Sequence, residues 1–346
     1  MPRGPNQERL VRNALRLIAG IAVSLGCLYF ATRGTDWARV GEVLAGARPL
    51  WVLGVMVAGL AAIYIRAQRW RVLLRPLGDV ALYPALSATA IGFGASAVLP
   101  FRLGELLRPA ILGRRAGVGM SAALSSVVLE RLLDVLLIIG CFLGFSLAYP
   151  MPLALKRGAY GLAALAVFAL VALVFLQRSR TRAEAIARAV LDWVPPRIKR
   201  GLAPVATSFV EGLDGLSDLP TVLLVVGYSV YLWGVIALSF LFGFLALSLD
   251  VPLVAASLAT VVIVAAFVFL PQAPGFVGTW QAGCVLALGL FGVPKDAAFG
   301  FSLLTWVAQM VVSLGTAGFF LAREDFSLGQ LLRAVERDAP SAGVDR

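Results

Sequence analysis

Six stretches of this chain, 15–31, 50–65, 120–148, 158–176, 220–247 and 299–321, read as membrane spans. A crossing needs roughly 20 apolar residues. Backbone N–H and C=O groups in lipid have no water to bond, so such stretches must satisfy one another as helices. The chain is thereby predicted to be all-α. Composition agrees: 60% of the 346 residues are hydrophobic and 14% charged, against about 45–50% and about 25% in soluble domains. The first stretch, "LIAGIAVSLGCLYFATRG", has signal-peptide character but no small-x-small cleavage site before Arg33, so it is retained as a span. The 120–148 stretch is longer than a bilayer requires and reads as tilted or as reaching past the surface.

Two regions fit poorly as simple spans. Residues 82–112 hold an apolar run, a Leu99-Pro100 break and then a charged sequence; residues 252–291 hold an apolar run, "LPQAPGFVGTWQ" and a second apolar run. Central prolines and glycines interrupt each helix, and each half is short for a full crossing. Both regions are read as re-entrant hairpins. With that topology, arginine and lysine number 21 on inner segments and 6 on outer ones, which predicts cytoplasmic N- and C-termini. Residues 117–136 align without gaps to 292–311, with identities that include Gly117/Gly292, Val118/Val293, Ala122/Ala297 and Ala123/Ala298. Three spans separate the hairpins, so they enter from opposite faces as an inverted repeat, a pattern that transporters use around a midplane site.

The expected organisation is thus a polytopic membrane domain over 1–325, with about six spans and two re-entrant hairpins. Within this domain the first hairpin lies at 82–112, a cytoplasmic segment at 177–218 and the second hairpin at 252–291; a partly disordered cytoplasmic tail follows at 326–346. Within the segment, "RAEAIARAVLDWV" places Ile186, Val190 and Trp193 on one helical face. A helix lying on the membrane surface and an ordinary linker helix both fit.

Several chemistries are disfavoured. The chain has no histidine, which removes imidazole acid–base work and the commonest metal ligand. Cys27, Cys141 and Cys284 are dispersed in apolar runs without metal or disulfide spacing, and no phosphate-binding P-loop sequence occurs. No metal or cofactor is expected. The net charge of +11 is nearly all arginine, set in short blocks between apolar runs. That pattern suits topology and anionic headgroups better than nucleic acid.

The charges inside the apolar regions form a constellation. Arg102, Glu105 and Arg108 recur every three residues on a short helix, where Glu105 can pair with either arginine. Glu130, Arg131 and Asp134 lie in the next span, with Glu130 and Asp134 on one face. The six sum to zero. An ion-pair cluster pinning the hairpin to the span is one reading; the other is an anion-accepting pocket whose arginines grip a phosphate while the carboxylates orient them. In the second hairpin, Pro274, Gly275 and Gly278 shape irregular backbone. Gln272, Thr279 and Gln281 offer uncharged hydrogen bonds, and Trp280 an amphipathic ring. A half-helix starting near Gly278 would present free N–H groups to an anion, although glycine-mediated packing explains the same residues. Thr305 and Gln309 align to Glu130 and Asp134 and either line the same pocket or bond a neighbouring helix.

The sequence "LPFRLGELLRPAILGRRAGVGMSAALSSVVLERLLDVL", followed downstream by "PGFVGTWQ", resembles the transmembrane, flippase-like region of lysylphosphatidylglycerol synthases and the stand-alone members of that family. The resemblance spans about 10–325. It places the family's first motif on Arg102, Gly104, Glu105, Arg108, Glu130, Arg131 and Asp134, and its second on Pro274, Gly275 and Gly278. Gln281 stands where relatives often carry Glu, which removes an acidic contact for a cationic headgroup. No synthase domain follows, so aminoacyl transfer is not expected. The implied function is a non-enzymatic translocase of an anionic phospholipid or of a polyprenyl-linked or glycolipid intermediate, in the bacterial cytoplasmic membrane. The alternatives are a headgroup-modifying enzyme and an accessory protein that partners lipid-synthesis enzymes; self-association is also compatible.

Overall fold

The computed structural model describes residues 5–75, 78–99, 103–116, 120–148, 219–268 and 272–323, with isolated positions between 160 and 192. The predicted span 158–176 and the 177–218 segment lie almost wholly outside these residues, and the 326–346 tail and Arg102 lie wholly outside them. Among the described residues every regular element is a helix. In chain order these are α1 (Pro5–Thr32), α2 (Trp37–Ala45), α3 (Pro49–Leu74), α4 (Leu82–Val98) and α5 (Leu103–Ala116). They continue with α6 (Met120–Ala148), α7 (Leu219–Ala246), α8 (Leu253–Val268), α9 (Thr279–Gly289) and α10 (Lys295–Leu321), with a 3₁₀ turn at Pro274–Phe276.

Helices α3, α7 and α10 are long and apolar enough to cross a membrane, and α1 with α2 forms a further apolar pair bent by 83°. The outer face of α3 shows what surrounds it. Leu50, Leu53, Val57, Leu60 and Tyr64, spaced three or four apart, are all exposed, a stripe that water would penalise by about 1.5–3 kcal/mol per large side chain and lipid would not. Helices α4 and α8, at 17 and 16 residues, are shorter than a crossing needs. Each is followed by a second helix, α5 or α9.

One boundary needs correction. The span read at 50–65 stopped at the first arginine, but α3 runs on to Leu74. Arg66 and Arg69, assigned to a cytoplasmic loop, belong to this helix. The apolar pattern resumes after them at Trp70, Val72, Leu73 and Leu74, which are all buried. Arginine does not end a helix; it has good helix propensity and needs only a partner for its charge.

Contacts divide the chain into two compact units: Met1–Leu60, Gly94–Leu103 and Val235–Gly315 in the first, and Ala61–Phe93, Gly104–Gly234 and Thr316–Arg346 in the second. In the first unit α8 and α9 pack closely; a Cβ on Gly283 would lie 3.0 Å from the Val264 Cα. The same hairpin rests on α1, where Ala273 N–H donates to Ser24 Oγ at 2.7 Å. Gly278, at φ +85°, approaches so near that a Cβ would sit 2.0 Å from the Ser24 carbonyl oxygen. Val55, Ala246, Leu304 and Ala308 fill an apolar cluster, and Phe244 stacks on Phe301 at 4.8 Å. At the end of α1, Lys295 Nζ donates to the Phe30 and Arg33 carbonyls, both at 2.7 Å, taking up oxygens the helix leaves unpaired.

In the second unit Val72, Leu73, Leu129, Leu133 and Val225 make the apolar cluster. Gly92 lets α4 and α5 meet: a Cβ there would stand 2.5 Å from Arg108 Cγ and 2.9 Å from the Gly104 carbonyl oxygen.

Candidate functional site

In the second unit six charged side chains form one continuous chain of alternating sign. It begins where Arg131 Nε lies 3.1 Å from Glu105 Oε2, and Arg131 Nη1 reaches Asp134 Oδ2 at 3.4 Å. Asp134 is then gripped by Arg69, with Nη1 to Oδ1 at 2.6 Å and Nη2 to Oδ2 at 3.2 Å. The Arg69 Nη2 also donates to Glu130 Oε1 at 2.7 Å. Glu130 turns its other oxygen to Arg108 Nη1 at 3.1 Å. Three arginines face three carboxylates.

Burial rises along this chain. Glu105 and Arg131 keep 14% and 22% of their side chains exposed, whereas Arg69, Arg108 and Glu130 keep none. Charges so placed persist only when geometry and extra hydrogen bonds offset their desolvation, and the surroundings supply these. Ser229 Oγ accepts from Arg69 Nη1 at 2.9 Å, Trp233 Nε1 donates to Asp134 Oδ1 at 3.2 Å, and the Arg108 guanidinium lies 4.4 Å over the Trp70 ring. Trp70 is itself held through Nε1 by Ser126 Oγ at 2.8 Å. Among the described residues, Arg69 Nε, Arg108 Nε and Arg131 Nη2 are buried without an acceptor.

The sequence reading put Glu105, Arg108, Glu130, Arg131 and Asp134 together, and the structure does so as well. Arg102, the third cation of that reading, lies outside the described residues; the structure adds Arg69 at the centre of the chain. The i, i+4 pair Glu130 and Asp134 does share a face, and Arg69 is what that face holds. The sequence signal for it is "RAQRWRVLL", two arginines three apart with apolar residues continuing beyond them.

The second hairpin brings its predicted residues together within the first unit, and their polar groups satisfy one another. Gly278 N–H donates to Gln281 Oε1 at 2.7 Å, so the N–H expected to face an anion is capped by the helix's own third residue. Thr279 Oγ1 bonds Gln272 Oε1, Gln272 Nε2 donates to the Val268 carbonyl at 2.6 Å, and Trp280 Nε1 donates to Thr305 Oγ1 at 3.2 Å. Pro274 opens the 3₁₀ turn, in which Gly275 takes φ +72° and accepts from Trp306 Nε1 at 2.6 Å. Gln309 Nε2 donates to Ser313 Oγ at 3.0 Å. The positions matching Glu130 and Asp134 thus carry neutral groups bonded inside their own unit. Trp306 is a contributor that sequence reasoning missed.

No group of three or more His, Cys, Asp or Glu suited to a metal occurs among the described residues. Long apolar helices, lipid-facing stripes and charges paired between helices define a multi-pass α-helical membrane protein. Within that class, residues 17–315 match the family described as the lysylphosphatidylglycerol synthase TM region, and the chain belongs to it. Neither the curated proteins nor the solved structures yield a match.

Proposed function

We propose that this protein takes up an anionic phospholipid, or a lipid-linked intermediate with a phosphate, and moves it between the leaflets of the bacterial cytoplasmic membrane. Both termini lie in the cytoplasm in this reading. The observation that carries it is the alternating, largely buried chain from Glu105 to Arg108, in a chain of a lipid-related membrane family. Ionisable groups at membrane depth are costly, and such residues commonly mark a substrate path. Arg69, Arg108, Glu130 and Asp134 form the buried frame. Glu105 and Arg131, the more exposed end, are where a headgroup enters, with Arg131 supplying the guanidinium that suits a phosphate. The acyl chains stay in lipid.

The test is leaflet exchange in proteoliposomes. Acyl-labelled phosphatidylglycerol, followed by quenching of the outer-leaflet label with a membrane-impermeant reductant, should cross faster with protein than without. Labelled phosphatidylcholine should gain less, and Arg131→Gln should slow the anionic lipid. Equal rates with and without protein for each anionic lipid tested would end this reading.

A further inference from the structure

A seventh ionisable group stands beside the neutral chain, with no counter-charge of its own among the described residues. Arg66 precedes Arg69 by three residues on α3, so both project from neighbouring positions on one helix face. Arg66 is partly buried and within electrostatic reach of Asp134, Arg131, Arg69 and Glu130. Every carboxylate oxygen pair in the chain already serves another arginine. Among the described residues Arg66 makes no hydrogen bond and no ion pair. Among the described residues its close partner is aromatic: the guanidinium carbon lies 4.8 Å from the Phe93 ring centroid. Arg108 lies 5.8 Å from the same ring.

With Arg66 included, four arginines face three carboxylates among the described residues, which leaves one surplus positive charge there. A ring face attracts a cation but cannot neutralise it. Contact through the ring face also leaves the in-plane N–H donors of a guanidinium available, and those donors match two oxygens of a phosphate. A phosphodiester carries one negative charge and two free oxygens. It supplies both what the charge balance lacks and what the donors require.

We infer that Arg66, backed by Phe93, receives the phosphodiester of an anionic lipid headgroup. This rests on the translocase reading above and adds to Arg131 a second guanidinium that meets the headgroup's phosphate. The Arg69–Glu130–Asp134 cluster then acts as the fixed frame that presents Arg66, since its own charges are already spent on one another.

Native mass spectrometry of purified protein in detergent, offered equal phosphatidylglycerol and phosphatidylcholine of the same acyl length, tests this. The wild type is expected to retain phosphatidylglycerol preferentially. Arg66→Gln should lose that preference by about tenfold or more, Arg66→Lys should recover part of it, and Arg39→Gln, an exposed arginine in the first unit, should not change it. Inorganic phosphate should not displace the lipid. An Arg66→Gln protein that keeps the wild-type preference overturns the assignment to Arg66 while the translocase reading stands. A wild type without preference overturns both. Displacement by inorganic phosphate at matched concentration assigns the site to the free anion and overturns the lipid. Among the described residues Arg66 makes no hydrogen bond or ion pair, so Arg66→Gln should keep the wild-type elution volume and thermal transition; a variant that cannot fold makes Arg66 structural and overturns the inference.

Discussion

Arg69 Nη1 donates to Asp134 Oδ1 at 2.6 Å, joining residues 65 positions apart with almost no exposure of either side chain. The same guanidinium holds Glu130, so one side chain of α3 ties down two carboxylates of α6. Removing a partner from a buried pair costs about 3–5 kcal/mol, because the remaining charge is stranded. Arg69→Gln should therefore lower the thermal transition in detergent sharply. Asp134→Asn should also be destabilising, and the double variant less so than the sum, with a coupling of about 0.5–3 kcal/mol in a double-mutant cycle. Additive effects would mean that the two groups are not energetically joined.

Gly278 has the left-handed φ of +85°, and its Cα faces the Ser24 carbonyl so closely that a Cβ would lie 2.0 Å from the oxygen. The obstacle is backbone, which cannot swing aside. Gly278→Ala should push the second hairpin away from α1 and reduce the yield of folded protein. Size-exclusion of a fluorescently tagged variant reads this directly.

Gln281 caps α9 through its side-chain oxygen. A carboxyl group offers the same acceptor at this buried position, so Gln281→Glu should keep the cap but lose stability as pH rises and the group ionises. Gln281→Ala leaves the Gly278 N–H without its acceptor and should cost about 0.5–2 kcal/mol, the range for loss of a helix cap. Thermal unfolding of the two variants side by side separates the cap from any role of charge at this position.

Gly92 and Gly26 make a matched pair. A methyl group at Gly92 would press on Arg108 Cγ and the Gly104 carbonyl, whereas nothing lies within 4 Å of one at Gly26. Gly92→Ala should destabilise by about 1–3 kcal/mol through overpacking and disturb the Arg108–Glu130 contact. Gly26→Ala should be neutral or raise stability by up to about 1 kcal/mol through helix propensity. Thermal transitions of the two variants, each compared with the wild type, decide it.

How much was legible before folding depends on whether a property is local. The all-helical membrane character follows from runs of apolar residues and the need to satisfy backbone groups in lipid. The breaks at Leu99-Pro100 and around Pro274–Gly278 follow from proline chemistry and from glycine's access to positive φ. The pairing of Glu130 with Asp134 is helical periodicity. Each of these needs only neighbours in the chain, and each appears in the structure as a helix end, a turn or a shared face.

The partners were not local. By itself the sequence determined that charges lie at membrane depth, that Glu130 and Asp134 face one way, and that they must be neutralised. Only the tertiary structure decided that Arg69 neutralises them, that Arg131 binds Glu105 and Arg108 binds Glu130, and that Arg66 is left over. The reason is that an unpaired charge in an apolar surrounding is so unfavourable that some counter-ion must arrive, yet every arginine satisfies that demand equally well. Which one arrives is set by the helix that packs alongside.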